Sequence, residues 1–133
     1  MILVDTSAWV EFDRATGSPT DQRVTSLIER GGGDLAVTEP VLMEVLARVR
    51  SEQERRTTHQ LLRSFRWLPT DPVADYEGAA ALYRRCRERG VTPRGLLDCL
   101  VATVAMRTGA SVLAVDGDFD RMATVVPLRL DID

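Results

Sequence analysis

The opening residues MILVDTSAW (1–9) set the terms of the fold. Ile2-Leu3-Val4 is a short continuous apolar run, the pattern of a strand covered on both faces. Asp5 follows it at once, and burying a charge costs several kcal/mol unless something pairs with it. The same form recurs near the other end, where SVLAV (111–115) is the clearest buried strand in the chain and Asp116 follows directly.

Between these two strands the punctuation is helical. Ser7 caps a short helix through Phe12, and the turn TGSP (16–19) launches a second helix to about Arg30. Gly31-Gly32-Gly33 stops it, Leu35-Ala36-Val37 is a second strand, and Thr38 is the N-cap of a helix through VLMEVLARVR (41–50). Ser51-Glu52-Gln53-Glu54 has the form of a capping box, so a fresh helix starts there. WLP (67–69) reads as a short strand; Asp71-Pro72 opens a long helix that closes at Gly90. Thr92-Pro93 starts the next, with core LLDCLVATVAM (96–106) and end Gly109, and a last short strand lies around VPLRL (126–130). Strands separated by helices imply a parallel sheet with helices on both faces. The expectation is a single three-layer α/β/α domain over residues 1–133, with a central, mainly parallel sheet of about five strands. Sites in such sheets lie at the edge where the strands end, which is where Asp5 and Asp116 fall.

Composition narrows the function. The chain has 133 residues, 44% hydrophobic and 28% charged, which is enough for one hydrophobic core. The first residues lack the basic segment of a signal peptide, and no apolar stretch approaches the roughly 20 residues that span a bilayer. A cytoplasmic location without membrane association is therefore expected. Cys86 and Cys99 match no zinc spacing and read as structural thiols. All 17 basic residues are arginine, so any mechanism needing a catalytic lysine is excluded. With a net charge of −3, affinity for nucleic acid has to come from local arginine patches or bound cations.

Two further acids stand among apolar neighbours on helices: Glu44 in EPVLMEVL and Asp98 in LLDCLVA. One turn from Asp98 stand Arg94, Gly95, Val101 and Ala102, a small, half-apolar stripe that suits a wall something approaches closely. One turn from Glu44 stand Pro40, Val41, Ala47 and Arg48, a mixed face that marks nothing by itself. The case rests on the set. Four carboxylates from four elements raise one another's pKa and cost stability if they share a pocket. A hard divalent cation resolves the conflict, and oxygen donors without His or Cys favour Mg2+ or Mn2+ over zinc. Such an ion neutralises a phosphate and activates a water, and in-line phosphodiester hydrolysis is the natural reaction. Asp118 in VDGDFD has two readings, as a cap of the short helix FDRMA or as a second ligand beside Asp116.

At these residues a resemblance emerges. VDTSAWVEF, EPVLMEVL, LLDCLVA and VDGDFDRMA, in that order and spread over the whole chain, resemble the motifs of PIN-domain ribonucleases of the VapC type, the toxins of bacterial toxin–antitoxin modules. The resemblance implies that Asp5, Glu44, Asp98 and Asp116 form an acidic quartet around Mg2+ or Mn2+. It further implies that Ser7 hydrogen-bonds within the site and supports Asp5. Arg94, one turn before Asp98, reads either as a contact to an RNA phosphate or as a surface arginine at a helix start. Family membership implies a homodimeric endoribonuclease acting on structured RNA such as tRNA or rRNA, inhibited by a cognate VapB antitoxin. The apolar residues of VLMEVLARV and HQLLRSFRWL are a groove for a partner helix or simply core. Arg48, Arg50, Arg55 and Arg56, with Arg84, Arg85, Arg87 and Arg89, read either as RNA contacts or as solvated helix faces. His59, the only histidine, is remote from every motif and is not expected to be catalytic. Val115 departs from relatives that carry threonine or asparagine there, so a polar contact beside the fourth acid is expected to be missing.

Receiver-type phosphoacceptors and haloacid-dehalogenase-like phosphatases also bind Mg2+ at strand ends, but both use a lysine. The rival that composition does not remove is a PIN-like metal- or partner-binding module without turnover.

Overall fold

The computed structural model describes residues 1–115 and 117–131. Asp116, the expected fourth acid, lies outside the described residues. Strand β1 (Ile2–Val4) is flanked by β2 (Leu35–Val37) and β4 (Ser111–Leu113), and β3 (Arg66–Trp67) lies beyond β2. The order β3-β2-β1-β4 makes a four-stranded sheet whose pairings are all parallel. Ile2 stands opposite both Leu35 and Ser111, and Val4 opposite Leu113. Every residue of β1 and β2 is buried, which is why both are uninterrupted apolar runs. The fifth strand expected at 126–130 is reduced to one parallel bridge between Val112 and Leu130. Val112 N donates to Arg129 O at 2.9 Å and Asp131 N to Val112 O at 2.8 Å. Pro127, with no N–H to give a ladder, limits how far this pairing extends.

Seven helices complete the described residues: α1 (Thr6–Asp13), α2 (Pro19–Glu29), α3 (Glu39–Leu46), α4 (Glu52–Arg63), α5 (Ala74–Glu88), α6 (Leu96–Thr108) and α7 (Gly117–Met122). Ser51 caps α4 through its hydroxyl, as its spacing leads one to expect, and Ser18, within the TGSP turn, caps α2 in the same way. Glu54 Oε2 accepts from Arg50 N at 3.0 Å and so turns the chain before α4. Helix α3 therefore stops at Leu46, short of the Arg50 read from the sequence. The cap of α1 is Asp5 rather than Ser7. Helix α6 starts at Leu96 instead of Thr92-Pro93, because Arg94 N is held by Asp118 Oδ2 at 2.9 Å and Gly95 is extended. It ends at Gly109, whose φ of +77° is a left-handed cap. None of the described helices is long and apolar enough to cross a membrane.

Helices α5 and α6 pack closely against one another. Gly78 makes that approach possible, since a Cβ there would stand 2.8 Å from Thr103 Cγ2. Thr103 is itself tied by its hydroxyl to Cys99 O at 2.7 Å and has little room to give. One turn away in the same pair, Asp75 is buried and takes a two-pronged contact from Arg107, Nε to Oδ1 at 2.8 Å and Nη2 to Oδ2 at 2.7 Å. Arg107 Nη2 also donates to Pro69 O at 2.7 Å, which fixes the loop after β3. The antiparallel pair sets the first turn of α6 at the edge where the strands end.

Hydrogen bonds from Arg107 hold Asp75 below its ordinary 3.8, against the opposing effect of burial. A folded-state pKa that is lowered contributes stability above the unfolded value and loses it as pH falls through the folded one. Asp75→Asn is therefore expected to cost about 2 kcal/mol at neutral pH and to flatten the loss of stability below the ordinary carboxylate range. Urea denaturation across pH measures both effects; an unchanged midpoint at neutral pH would contradict the role given to this pair.

Candidate active site

Asp5 N donates to Leu113 O at 2.9 Å, which extends the sheet one residue beyond β1. The carboxylate is thus placed by sheet register, between β1 and β4, where the strand order changes direction. It is 3% exposed. Oδ2 accepts from Ser7 N at 3.0 Å and from Ser7 Oγ at 2.7 Å. Oδ1 is buried and has no hydrogen-bond partner among the described residues. Burial raises the Asp5 pKa above 3.8; the hydrogen bonds from Ser7 oppose that rise and the charge of Glu44 adds to it.

Ser7 does more than support Asp5. Its hydroxyl gives its hydrogen to Asp5 and accepts from Val115 N at 3.0 Å. One side chain therefore fixes both the first acid and the chain leaving β4, immediately before Asp116. The Val115 side chain is exposed, and the polar contact at this corner comes from its backbone N–H.

Glu44 lies on α3, half-buried, and its Oε1 accepts from Thr6 Oγ1 at 3.0 Å. Thr6 is buried as the first residue of α1, so one helix start positions two acids, Asp5 by its cap and Glu44 by its hydroxyl. The sequence reading passed over Thr6; its signal was a hydroxyl between Asp5 and Ser7 in a segment otherwise destined for burial. The start of α3 is fixed in turn by Glu39, which accepts from Trp67 Nε1 at 2.8 Å and from Thr70 N at 2.7 Å.

Asp98 occupies the first turn of α6, half-buried. Asp118 is fully buried: Oδ2 accepts from Arg94 N and lies 3.6 Å from Arg94 Nε, while Oδ1 meets Arg121 Nη2. It ties α7 to the segment before α6, a role neither the cap nor the ligand reading of the sequence described. Arg94 keeps 75% of its side chain exposed beside this anchor. Among the described residues no group of three or more His, Cys, Asp or Glu has an arrangement that could hold a metal ion; Asp116 is outside that set.

The other candidates are exposed helix positions or buried thiols. His59 is exposed on α4. Cys86 and Cys99 are both buried, and burial pushes the Cys99 thiol up to about 11, with Cys86 and Asp98 adding to the effect. Such thiols are inert at neutral pH. Arg55 pairs with Glu52 at 2.6 Å. Arg84, Arg85, Arg87 and Arg89 are exposed around the end of α5, and Arg87 lies over the Tyr83 ring at 5.8 Å. The apolar stripes of α3 and α4 are part core and part groove: a hollow of about 80 Å³ is lined by Trp9, Val10, Phe12, Val45, Val49, Leu61 and Leu62, with Asp13, Arg48, Glu54 and Thr58. Trp9 Nε1 is buried without a hydrogen-bond partner among the described residues.

Comparison with known proteins agrees with this architecture. The PIN domain family matches residues 2–125. The chain is 39% identical over 129 residues to VapC ribonuclease Mb1587 of Mycobacterium bovis and to ribonuclease VapC11 of Mycobacterium tuberculosis, covering 97% of this chain and 96% of each relative. Among solved structures, the fold superposes on VapBC2 of Rickettsia felis bound to a promoter DNA fragment with a TM-score of 0.73 at 15% identity, covering 98% of both chains. It superposes on Mycobacterium tuberculosis VapC20, described as a sarcin-ricin loop cleaving toxin, with a TM-score of 0.72 at 23% identity, covering 97% of this chain and 99% of that one.

A raised pKa means that folded Asp5 holds its proton more tightly than the unfolded chain does. Its contribution to stability is present below 3.8 and lost as pH rises through the folded value. In EDTA, Asp5→Asn is therefore expected to melt above wild type at neutral pH, with the gap closing in acid. Melting curves across pH report this; a variant that melts lower by the same amount at every pH would contradict it.

Proposed function

The chain belongs to the PIN-domain family and, within it, to the VapC ribonucleases, and from that premise we propose that it is a toxin ribonuclease hydrolysing RNA at a divalent-cation site formed by Asp5, Glu44, Asp98 and Asp116. The observation that carries this reading is Asp5 Oδ1, a buried carboxylate oxygen without a hydrogen-bond partner among the described residues. The neighbouring Glu44 charge adds to the cost of ionising Asp5, and a cation between carboxylates reverses that cost. Hard oxygen donors without imidazole or thiolate fit Mg2+ or Mn2+.

When bound, such an ion supplies charge neutralisation at the phosphate and a water of lowered pKa. This chain's own residues do the positioning. Ser7 keeps Asp5 Oδ2 engaged, so Oδ1 is the oxygen left to coordinate. Thr6 holds Glu44 Oε1. Asp98, in the first turn of a helix, is stabilised as an anion by the helix dipole. Rigid placement of these side chains would let a bound ion present its water to the scissile bond.

Structured RNA such as tRNA or rRNA is the substrate class this reading takes, in keeping with the description of VapC20. A VapB-type antitoxin is the proposed inhibitor, and the hollow between α1, α3 and α4 is its proposed seat. Exposed Met43 on α3 and Leu96 on α6, two helices that pack together, support a homodimer. The cytoplasm is the proposed compartment.

Purified, antitoxin-free protein is expected to cleave total cellular RNA in Mg2+ or Mn2+ and to stop on addition of EDTA. Asp98→Asn is expected to slow cleavage by at least about a hundredfold while its melting curve remains cooperative. Inertness in both metals would overturn the enzyme reading and leave a metal- or partner-binding module; unchanged cleavage by Asp98→Asn would overturn the site.

A further inference from the structure

The acids repel the polyanion they are proposed to cleave, and the chain as a whole carries a net charge of −3. Affinity for RNA therefore depends on basic side chains that no acid of the protein already neutralises. Of the two arginine groups in the sequence, the first is engaged elsewhere: Arg55 pairs with Glu52 at 2.6 Å, and Arg48 lines the apolar hollow together with Glu54. The group at the end of α5 is not. RRCRER (84–89) holds four arginines and one glutamate, and all five are exposed. Arg87 lies over the Tyr83 ring, while the side chains of Arg84, Arg85 and Arg89 make no ion pair or hydrogen bond among the described residues. With Ala81 and Glu88 these three line a hollow of about 290 Å³.

The packing of α5 on α6 fixes where this group stands. Asp75 faces Arg107 and Gly78 faces Thr103, an antiparallel register. Equal rise per residue on the two helices carries that register on to bring residues 83–84 level with Asp98. Buried Cys86 accordingly lies close enough to Cys99, the residue after Asp98, to raise its thiol pKa. Arg84 and Arg85 are thus level with Asp98 but one helix away, with axes about 8–10 Å apart. That separation is too wide for the scissile phosphate and suits phosphates further along the backbone. The dipole at the end of α5 also favours cations, and that attraction leaves their guanidinium donors available to a ligand.

We infer that Arg84, Arg85 and Arg89 form a docking patch for the phosphate backbone of folded RNA, engaging a stem that flanks the cleavage point while the acids act on the strand. The inference rests on the ribonuclease reading and adds to it a second point of attachment at which no chemistry occurs. Contacts of this kind fix register and carry no sequence preference. Binding energy from parts of a substrate remote from the reacting bond serves to orient that bond.

The test is binding of a fluorescently labelled RNA hairpin, followed by anisotropy in EDTA so that cleavage does not enter. Arg84→Gln, Arg85→Gln and Arg89→Gln combined are expected to weaken binding at least about tenfold and to lower the dependence of log affinity on log salt by about 2, at about 0.7 for each contact. Arg84→Lys, Arg85→Lys and Arg89→Lys combined keep the charge and are expected to keep the salt dependence. Arg30→Gln, Arg55→Gln and Arg56→Gln combined remove the same charge from α4 and the end of α2 and are expected to stay within about twofold of wild type. If the glutamine variant of the α5 patch binds no worse than this control while wild type still cleaves RNA, the patch is overturned and the ribonuclease reading stands. Polyglutamate that competes, charge for charge, as well as unlabelled hairpin would mark the patch as a seat for an acidic protein and overturn its assignment to RNA. A wild type that neither binds nor cleaves RNA would overturn both readings.

Discussion

A carboxylate set at the end of a fully buried strand is the constraint on which the rest of the structure depends. Asp5 continues the ladder of β1 into β4, so its place is no more adjustable than the sheet itself. A charge so placed costs stability unless each oxygen is satisfied. Ser7 satisfies one with its amide and its hydroxyl. The other is left to whatever the site binds, and nearby Glu44 makes an anion there more costly still. The protein accepts instability at this point, a common bargain between function and stability.

The segment Asp5-Thr6-Ser7 organises the edge of the sheet from a single helix start. Asp5 caps α1, Thr6 holds Glu44 on α3, and Ser7 joins Asp5 to the backbone of Val115 after β4. Elements distant in sequence are thus referred to one short stretch, and their geometry rises or falls together. Asp118 serves a parallel purpose, joining α7 to the approach to α6 through Arg94 and Arg121.

Much of this is legible in the sequence. The runs at Ile2–Val4 and Leu35–Val37 are strands because they are buried on both faces, and such burial leaves an unmistakable apolar pattern. The serine cap at Ser51, the turn before α2 and the glycine end of α6 follow from local chemistry. What was misread depends on partners far along the chain. The start of α6 was placed early because nothing near Arg94 announces its bond to Asp118. The strand at 126–130 shrank to one bridge for want of a ladder around Pro127. Thr6 went unnoticed because its partner, Glu44, is 38 residues away, and Glu44 looked like an ordinary surface acid for the same reason. Position along the chain marks Asp5, Ser7 and Asp98; only tertiary contact shows that Thr6 holds Glu44 and that Asp118 holds Arg94 and Arg121.

In the proposed reaction these acids direct a water, and not the ribose hydroxyl, at the phosphodiester. Cleavage in H2(18)O, with mass spectrometry of the new RNA termini, tests it most directly. Attack by water puts one labelled oxygen on each new terminal phosphate with no cyclic intermediate, which is the result the account requires. Termini carrying 2′,3′-cyclic phosphate would show the neighbouring 2′-hydroxyl as the nucleophile and contradict it.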